Sequence, residues 1–77
     1  MNTIDMANVE AKDAIKDLRN RLSESQTEFA NRFDLKQRVI STYESGSGYP
    51  RAKLARKLAQ LSKELGAPYD LGTFLPE

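Results

Sequence analysis

The stretch SQTEFANRFDLKQRVISTYESG, residues 25–46, decides how the rest of this chain is read. It holds two short amphipathic segments with only Asp34, Leu35 and Lys36 between them. The first opens on Ser25 with Glu28 three residues later, the S-x-x-E signature of a helix-capping box. Its apolar side is Phe29, Ala30 and Phe33. At about two turns, such a helix does not persist alone and needs neighbours to pack on. The second segment, roughly 36 to 45, places Val39, Ile40 and Tyr43 on one face, with Lys36, Arg38, Ser41, Thr42 and Ser45 elsewhere around it. It begins with Gln37 and Arg38, side chains ill suited to a core.

Upstream, Ile4, Ala7, Ala11, Ala14, Ile15, Leu18 and Leu22 recur three and four apart, which predicts an amphipathic helix over about 10 to 22. A start as early as residue 4 stays open, with Thr3 or Asn8 as the candidate cap. Downstream, SGSGYP is a loop by composition. Gly46 suits the residue just past a helix end, and Pro50 the first turn of a fourth helix. Leu54, Ala55, Leu58, Leu61 and Leu65 form the apolar stripe of that helix, and Gly66 and Pro68 stop it. The tail APYDLGTFLPE keeps Tyr69, Leu71, Phe74 and Leu75 without a clean period. A short helix and an extended arm against a second subunit both fit it. No strand, repeat or low-complexity tract is evident. The expected fold is all-α, a compact bundle of four to five helices, with one domain over 1–66 and the tail 67–77 as a dimerisation element.

Seventy-seven residues make one domain with a marginal core. The sequence has neither cysteine nor histidine, which excludes disulfides, thiolate or imidazole zinc sites and histidine-based catalysis. The lack of cysteine fits a cytoplasmic protein, and no apolar run is long enough for a signal-peptide core or a membrane span. Glu10, Asp13 and Asp17 lie among lysines at helical offsets and read as a solvated face. SGSG is a flexible loop and not a phosphate-binding one, and no nucleophile–base set is present. The expectation is a protein that is not an enzyme and carries no cofactor or metal. The net charge of +1 hides an uneven distribution: residues 1–31 carry −2, residues 32–57 carry +5 and residues 58–77 carry −2. A polyanion would therefore be held by the middle third.

Two short helices joined by a tight turn make a helix-turn-helix, whose second helix enters the DNA major groove. Ala30 falls where the two helices cross closely, Ile40 faces back into the same crossing, and Leu35 anchors the turn. Asp34 stands where a left-handed backbone is needed, which glycine takes most easily and Asp or Asn tolerate. These residues resemble the Cro/repressor-type (XRE-like) helix-turn-helix family, whose pattern runs roughly S-Q-x-x-L-A-x-x-x-G-(V)-x-x-x-x-I-S-x-[YW]-E-x-G. IKDLR before the motif resembles that family's first helix and YPRAKLARKLAQLSKELG its fourth, so the similarity spans about residues 12 to 66. It implies a lambda-repressor-like DNA-binding fold with the motif at about 26–45. Three features depart from the pattern. Asp34 replaces a glycine. Ser23 and Glu24 stand where glycine and an apolar residue are usual, which removes the hydrophobic staple ahead of Ser25. The fourth helix is about three residues longer.

The N-terminal end of the second helix of such a motif reaches base edges. Gln37 can pair with adenine N6 and N7, and Arg38 with guanine O6 and N7. Thr42, one turn on, can touch a thymine methyl or hydrogen-bond a base, and Ser41 flanks them. Candidate phosphate contacts are Ser25 and Gln26, at the helix start where free N–H groups and the dipole favour an anion, with Lys36, Tyr49, Arg51 and Lys53. Arg56 and Lys57 read as charges for solubility. The resemblance further implies a structural ion pair between Arg19 and Glu44, and Phe29, Phe33 and Tyr43 read as core. The dimer surface is expected at Tyr69, Leu71, Phe74 and Leu75 with the end of the fourth helix.

The function these readings imply is a sequence-specific transcriptional regulator of bacterial or phage type, cytoplasmic and nucleoid-associated, acting on double-stranded DNA. It would be a repressor working as a homodimer on a palindromic operator. With no second domain to house a sizeable effector pocket, control would come through concentration, dimerisation or a capturing partner protein. Two rivals stand beside it. One is a protein-interaction module such as an antitoxin component, using the acidic first helix and apolar tail. The other is a non-specific architectural DNA binder, which Gln37 and Arg38 and the low net charge disfavour.

Overall fold

The computed structural model describes residues 9–75. Five helices follow in order: α1 Ala11–Arg21, α2 Gln26–Arg32, α3 Gln37–Glu44, α4 Ala52–Glu64 and α5 Leu71–Phe74, with no strand among the described residues. Their apolar stripes meet in one core of Ala14, Ile15, Leu18, Phe29, Ala30, Ile40, Ala55, Leu58 and Phe74, none of them more than 1% exposed. Phe29 and Phe33 meet edge to face, ring centroids 5.1 Å apart, a geometry that aromatic quadrupoles favour. No helix among the described residues is long and apolar enough to cross a membrane.

Helix α1 begins at Ala11, after an extended Glu10 that gives no side-chain cap. It does not run unbroken from residue 4, and Ile4, Ala7, Thr3 and Asn8 lie outside the described residues. Helix α2 starts as its sequence requires. Ser25 Oγ accepts from Glu28 N at 3.1 Å, and Glu28 Oε1 accepts from Ser25 N at 2.8 Å.

Helices α1 to α4 all end in the same way. The residue after each C-cap has a positive φ: Ser23 at 56°, Asp34 at 60°, Gly46 at 83° and Gly66 at 70°. At each end, two N–H groups fold back onto the helix's last carbonyls, as with Asp34 N to Asn31 O and Leu35 N to Ala30 O. This is the Schellman arrangement, which needs a left-handed residue and prefers glycine. Two of the four positions here are not glycine. Ahead of α2, the missing staple is replaced by polar contacts. Glu24 takes two hydrogen bonds from Arg32, at 3.2 and 2.5 Å, so the entry to α2 is tied to its own last turn.

Pro50 is not in the first turn of α4. Arg51 is the N-cap and Ala52 the first helical residue, while the Pro50 ring is fully buried ahead of the helix. The tail is not an extended arm either. Buried Ser62 anchors it, donating to Ala67 O at 3.2 Å and accepting from Tyr69 N at 3.1 Å. Asp70 then caps α5 through Thr73. Phe74, 0% exposed, enters the core shared with α1 and α4. It is therefore unavailable to a second subunit. Of the four residues expected at a dimer surface, Leu71 is exposed and Tyr69 and Leu75 are half-buried.

Candidate nucleic-acid interface

Helix α3 is fixed from behind before its front is free to act. Ile40 is 1% exposed and packs towards α2 and α1. Glu44, one turn on, receives Arg19 in a two-pronged contact: Nε to Oε2 at 2.7 Å and Nη2 to Oε1 at 3.0 Å. The third nitrogen of the guanidinium donates to Glu24 O at 3.0 Å, so one side chain joins α1, α3 and the entry to α2. The fork geometry gives such pairs direction as well as strength. Burial pushes the Glu44 carboxyl up, but hydrogen bonds from Arg19 and Gln26, with the charges of Arg19 and Lys16, outweigh it and hold the group below the ordinary carboxylate range. The hydrogen bond to Glu44 raises the Arg19 guanidinium in turn.

Glu44 also orders the amides in front of it. Gln26 Nε2 donates to Glu44 Oε1 at 3.1 Å. A carboxylate only accepts, so the amide nitrogen of Gln26 faces Glu44 and its oxygen points the other way. That oxygen accepts from Gln37 Nε2 at 2.6 Å. The polar chain Arg19–Glu44–Gln26–Gln37 thus runs from the interior to the first residue of α3. It leaves Gln37 Oε1 and one N–H of this exposed side chain without a partner among the described residues, the donor and acceptor that an adenine edge requires.

The outward face of α3 carries exposed Gln37, Arg38 and Thr42, with Ser41 half-buried among them. The Thr42 hydroxyl donates to Arg38 O at 2.9 Å, so its lone pairs remain for an incoming donor. Its methyl lies against the following loop. A Cβ added at Gly48 would come within 3.1 Å of Thr42 Cγ2, so a residue without a side chain lets the loop close on the helix. Lys36 precedes this face as the α3 N-cap, and Tyr49, Arg51 and Lys53 follow it, all exposed. Among the described residues the ion pairs are Arg19–Glu44, Arg21–Asp17 and Arg32–Glu24, so the four cations Lys36, Arg38, Arg51 and Lys53 carry no carboxylate partner. On the other flank the Ser25 hydroxyl accepts within the capping box and keeps its proton to donate. The first-turn N–H groups beside Gln26 have no partner within the helix.

The side chains proposed from sequence for base and phosphate contacts therefore lie on α3, at the start of α2 and along the segment from Tyr49 to Lys53. What the sequence reading missed is the double use of Gln26, which holds Gln37 while sitting at a helix start. No cluster of three or more acidic side chains among the described residues could hold a metal ion. A family model described as helix-turn-helix matches residues 15–65, most of the chain. No curated protein and no solved structure matches it.

Proposed function

The chain belongs to the Cro/repressor-type helix-turn-helix family and is a DNA-binding transcriptional regulator; we propose that it is a sequence-specific repressor that binds a palindromic operator as a homodimer through the major groove. The observation that carries this reading is the exposed Gln37–Arg38–Thr42 face, held by the chain from Arg19 to Gln37 and flanked by cations that have no carboxylate partner among the described residues. In this reading Gln37, Arg38, Ser41 and Thr42 address base edges. Ser25, Gln26, Lys36, Tyr49, Arg51 and Lys53 address phosphates, which makes affinity fall steeply with salt.

Two subunits would set their α3 helices about one helical turn apart, ~34 Å, so that operator symmetry mirrors protein symmetry. Repression by covering a promoter is the simplest consequence, because it needs occupancy alone. The subunit contact fits best on the groove between α4 and the tail, where Ala59, Ala67, Pro68 and Tyr69 lead to exposed Leu71.

The test is a gel shift on genomic fragments with competitor DNA across a salt series, together with sedimentation over a concentration range. A few retarded fragments with inverted-repeat sequences and a dimer that Leu71→Glu weakens are expected. No retardation at low salt eliminates the reading, and equal retardation of every fragment makes the protein an architectural binder instead.

A further inference from the structure

A second surface adjoins the DNA-facing one and has a different chemistry. Helix α3 packs on α1 and α2, and α4 packs on α1 and α5, but α3 and α4 are not packed closely on each other. Between them lies an open groove of about 570 Å³. Its floor is apolar: Phe33, Leu35, Val39, Tyr43 and Leu54 line it, each half-buried. Tyr49, 49% exposed, stands at the edge. Its rim is cationic, with Arg51, Lys53 and Lys57 opposed by Asp34 alone, and none of the three lysine or arginine side chains has an ion-pair partner among the described residues.

DNA accounts for only part of this. A sugar-phosphate backbone can meet Arg51 and Lys53, but it gains little from a floor of half-buried apolar side chains with an exposed tyrosine at its edge, a lining that suits the apolar side chains of a peptide. The ligand that satisfies both floor and rim carries aromatic or aliphatic side chains next to carboxylates. We propose that this groove binds an acidic peptide segment of a partner protein, which seats its apolar side chains on Val39, Tyr43 and Leu54 and its carboxylates on Arg51, Lys53 and Lys57. Apolar burial supplies the affinity and the rim charges supply approach rate and selectivity. Tyr49, Arg51 and Lys53 are also among the proposed phosphate contacts, so peptide and DNA exclude each other, and the groove is where a partner captures the regulator. This last step rests on the DNA-binding reading above.

Lys57 separates the two activities, because it lines the groove one turn beyond Lys53 and lies outside the proposed phosphate contacts. The experiment is selection of a random displayed peptide library on the full chain. The selected peptide is then titrated by NMR, with and without a DNA fragment that the protein retards. Expected are peptides with Asp or Glu beside aromatic or aliphatic residues, and amide shifts centred on Val39, Tyr43 and Leu54. DNA should displace the peptide, and Lys57→Glu should weaken the peptide by roughly tenfold while the DNA fragment is still retarded. Failure to enrich any peptide, enrichment of peptides without carboxylates, or shifts elsewhere overturns the proposal. Shifts at the same residues on raising protein concentration alone also overturn it, by making a second copy the occupant. Peptide binding that DNA does not displace overturns the capture step. If the wild-type chain binds no DNA at all, the regulator reading fails on its own evidence, whatever the peptide does.

Discussion

Gln37, the first residue of α3, donates its side-chain amide to Gln26, the first residue of α2, across 2.6 Å. Gln26 is itself oriented by Glu44. If Gln37 reads a base only because Gln26 holds it, the two side chains act as a unit on DNA. Gln26→Ala and Gln37→Ala, singly and together, should then show a coupling of about 1 kcal/mol in affinity for the preferred DNA sequence. Additivity within about 0.5 kcal/mol would mean that Gln26 serves a phosphate alone.

The Arg19–Glu44 pair ties α1 to α3 with side chains only 15% and 6% exposed. Removing one partner leaves the other charge largely desolvated, which costs about 3 kcal/mol for a buried pair. Glu44→Ala should lower the thermal midpoint by roughly 10 °C or more and weaken DNA binding with it. An unchanged midpoint would refute the structural role.

Acid should reveal the same contact. Glu44 lies below its ordinary range, and so does Asp17, chiefly because Tyr69 Oη donates to it at 2.6 Å, with burial opposing and Arg21 assisting. A carboxylate depressed in the folded state contributes stability above its unfolded pKa of about 4 and loses it as pH falls through the lower folded value. The thermal midpoint should therefore hold from neutral pH to about 5 and drop below about 4. The drop should be shallower in Glu44→Gln. A variant with the wild-type slope would assign the acid sensitivity elsewhere.

Much of this was legible in the sequence because it is local. The Ser25–Glu28 box, Gly46, Gly66 and the left-handed Asp34 are each set by a few neighbouring residues. So is the placement of Ala30 and Ile40, whose spacing alone puts them in the α2–α3 crossing. The Arg19–Glu44 pair came through family resemblance, since nothing local joins residues 25 positions apart. Elements whose stability comes from distant partners were not legible. Four-residue α5 is too short to show a period, and Phe74 reaches the core through a tail that distant Ser62 anchors. Pro50 suits a first helical turn by its fixed φ, yet its ring is buried ahead of the helix instead. Ser23 occupies a position where the family pattern has glycine, and its φ of 56° shows why.

Ser23 and Asp34 hold a conformation that L-residues with a Cβ adopt at a cost of about 1–2 kcal/mol, less for Asp than for Ser. Among the described residues neither side chain makes a hydrogen bond that would offset this. Glycine relieves the strain but adds unfolded-state freedom worth about 0.4–1 kcal/mol. Ser23→Gly should therefore stabilise the protein by about 0.5–1 kcal/mol and Asp34→Gly by less. Urea denaturation measures both, and a destabilised Ser23→Gly would contradict the left-handed assignment.

Arg38 and Arg51 separate reading from holding. Both are exposed and have no carboxylate partner among the described residues, but Arg38 sits on the outward face of α3 beside Gln37, and Arg51 stands at the N-cap position of α4 beyond the loop. Arg38→Ala should relax preference at one base position by about 1–3 kcal/mol, seen in a selection from random duplexes as loss of one conserved column per half-site. Arg51→Ala should weaken every sequence alike and reduce the salt dependence by about one counterion, leaving the selected sequence intact. Should Arg38→Ala keep the wild-type preferred sequence, α3 would be turned differently in the groove, and the base-reading role would move to Ser41 and Thr42.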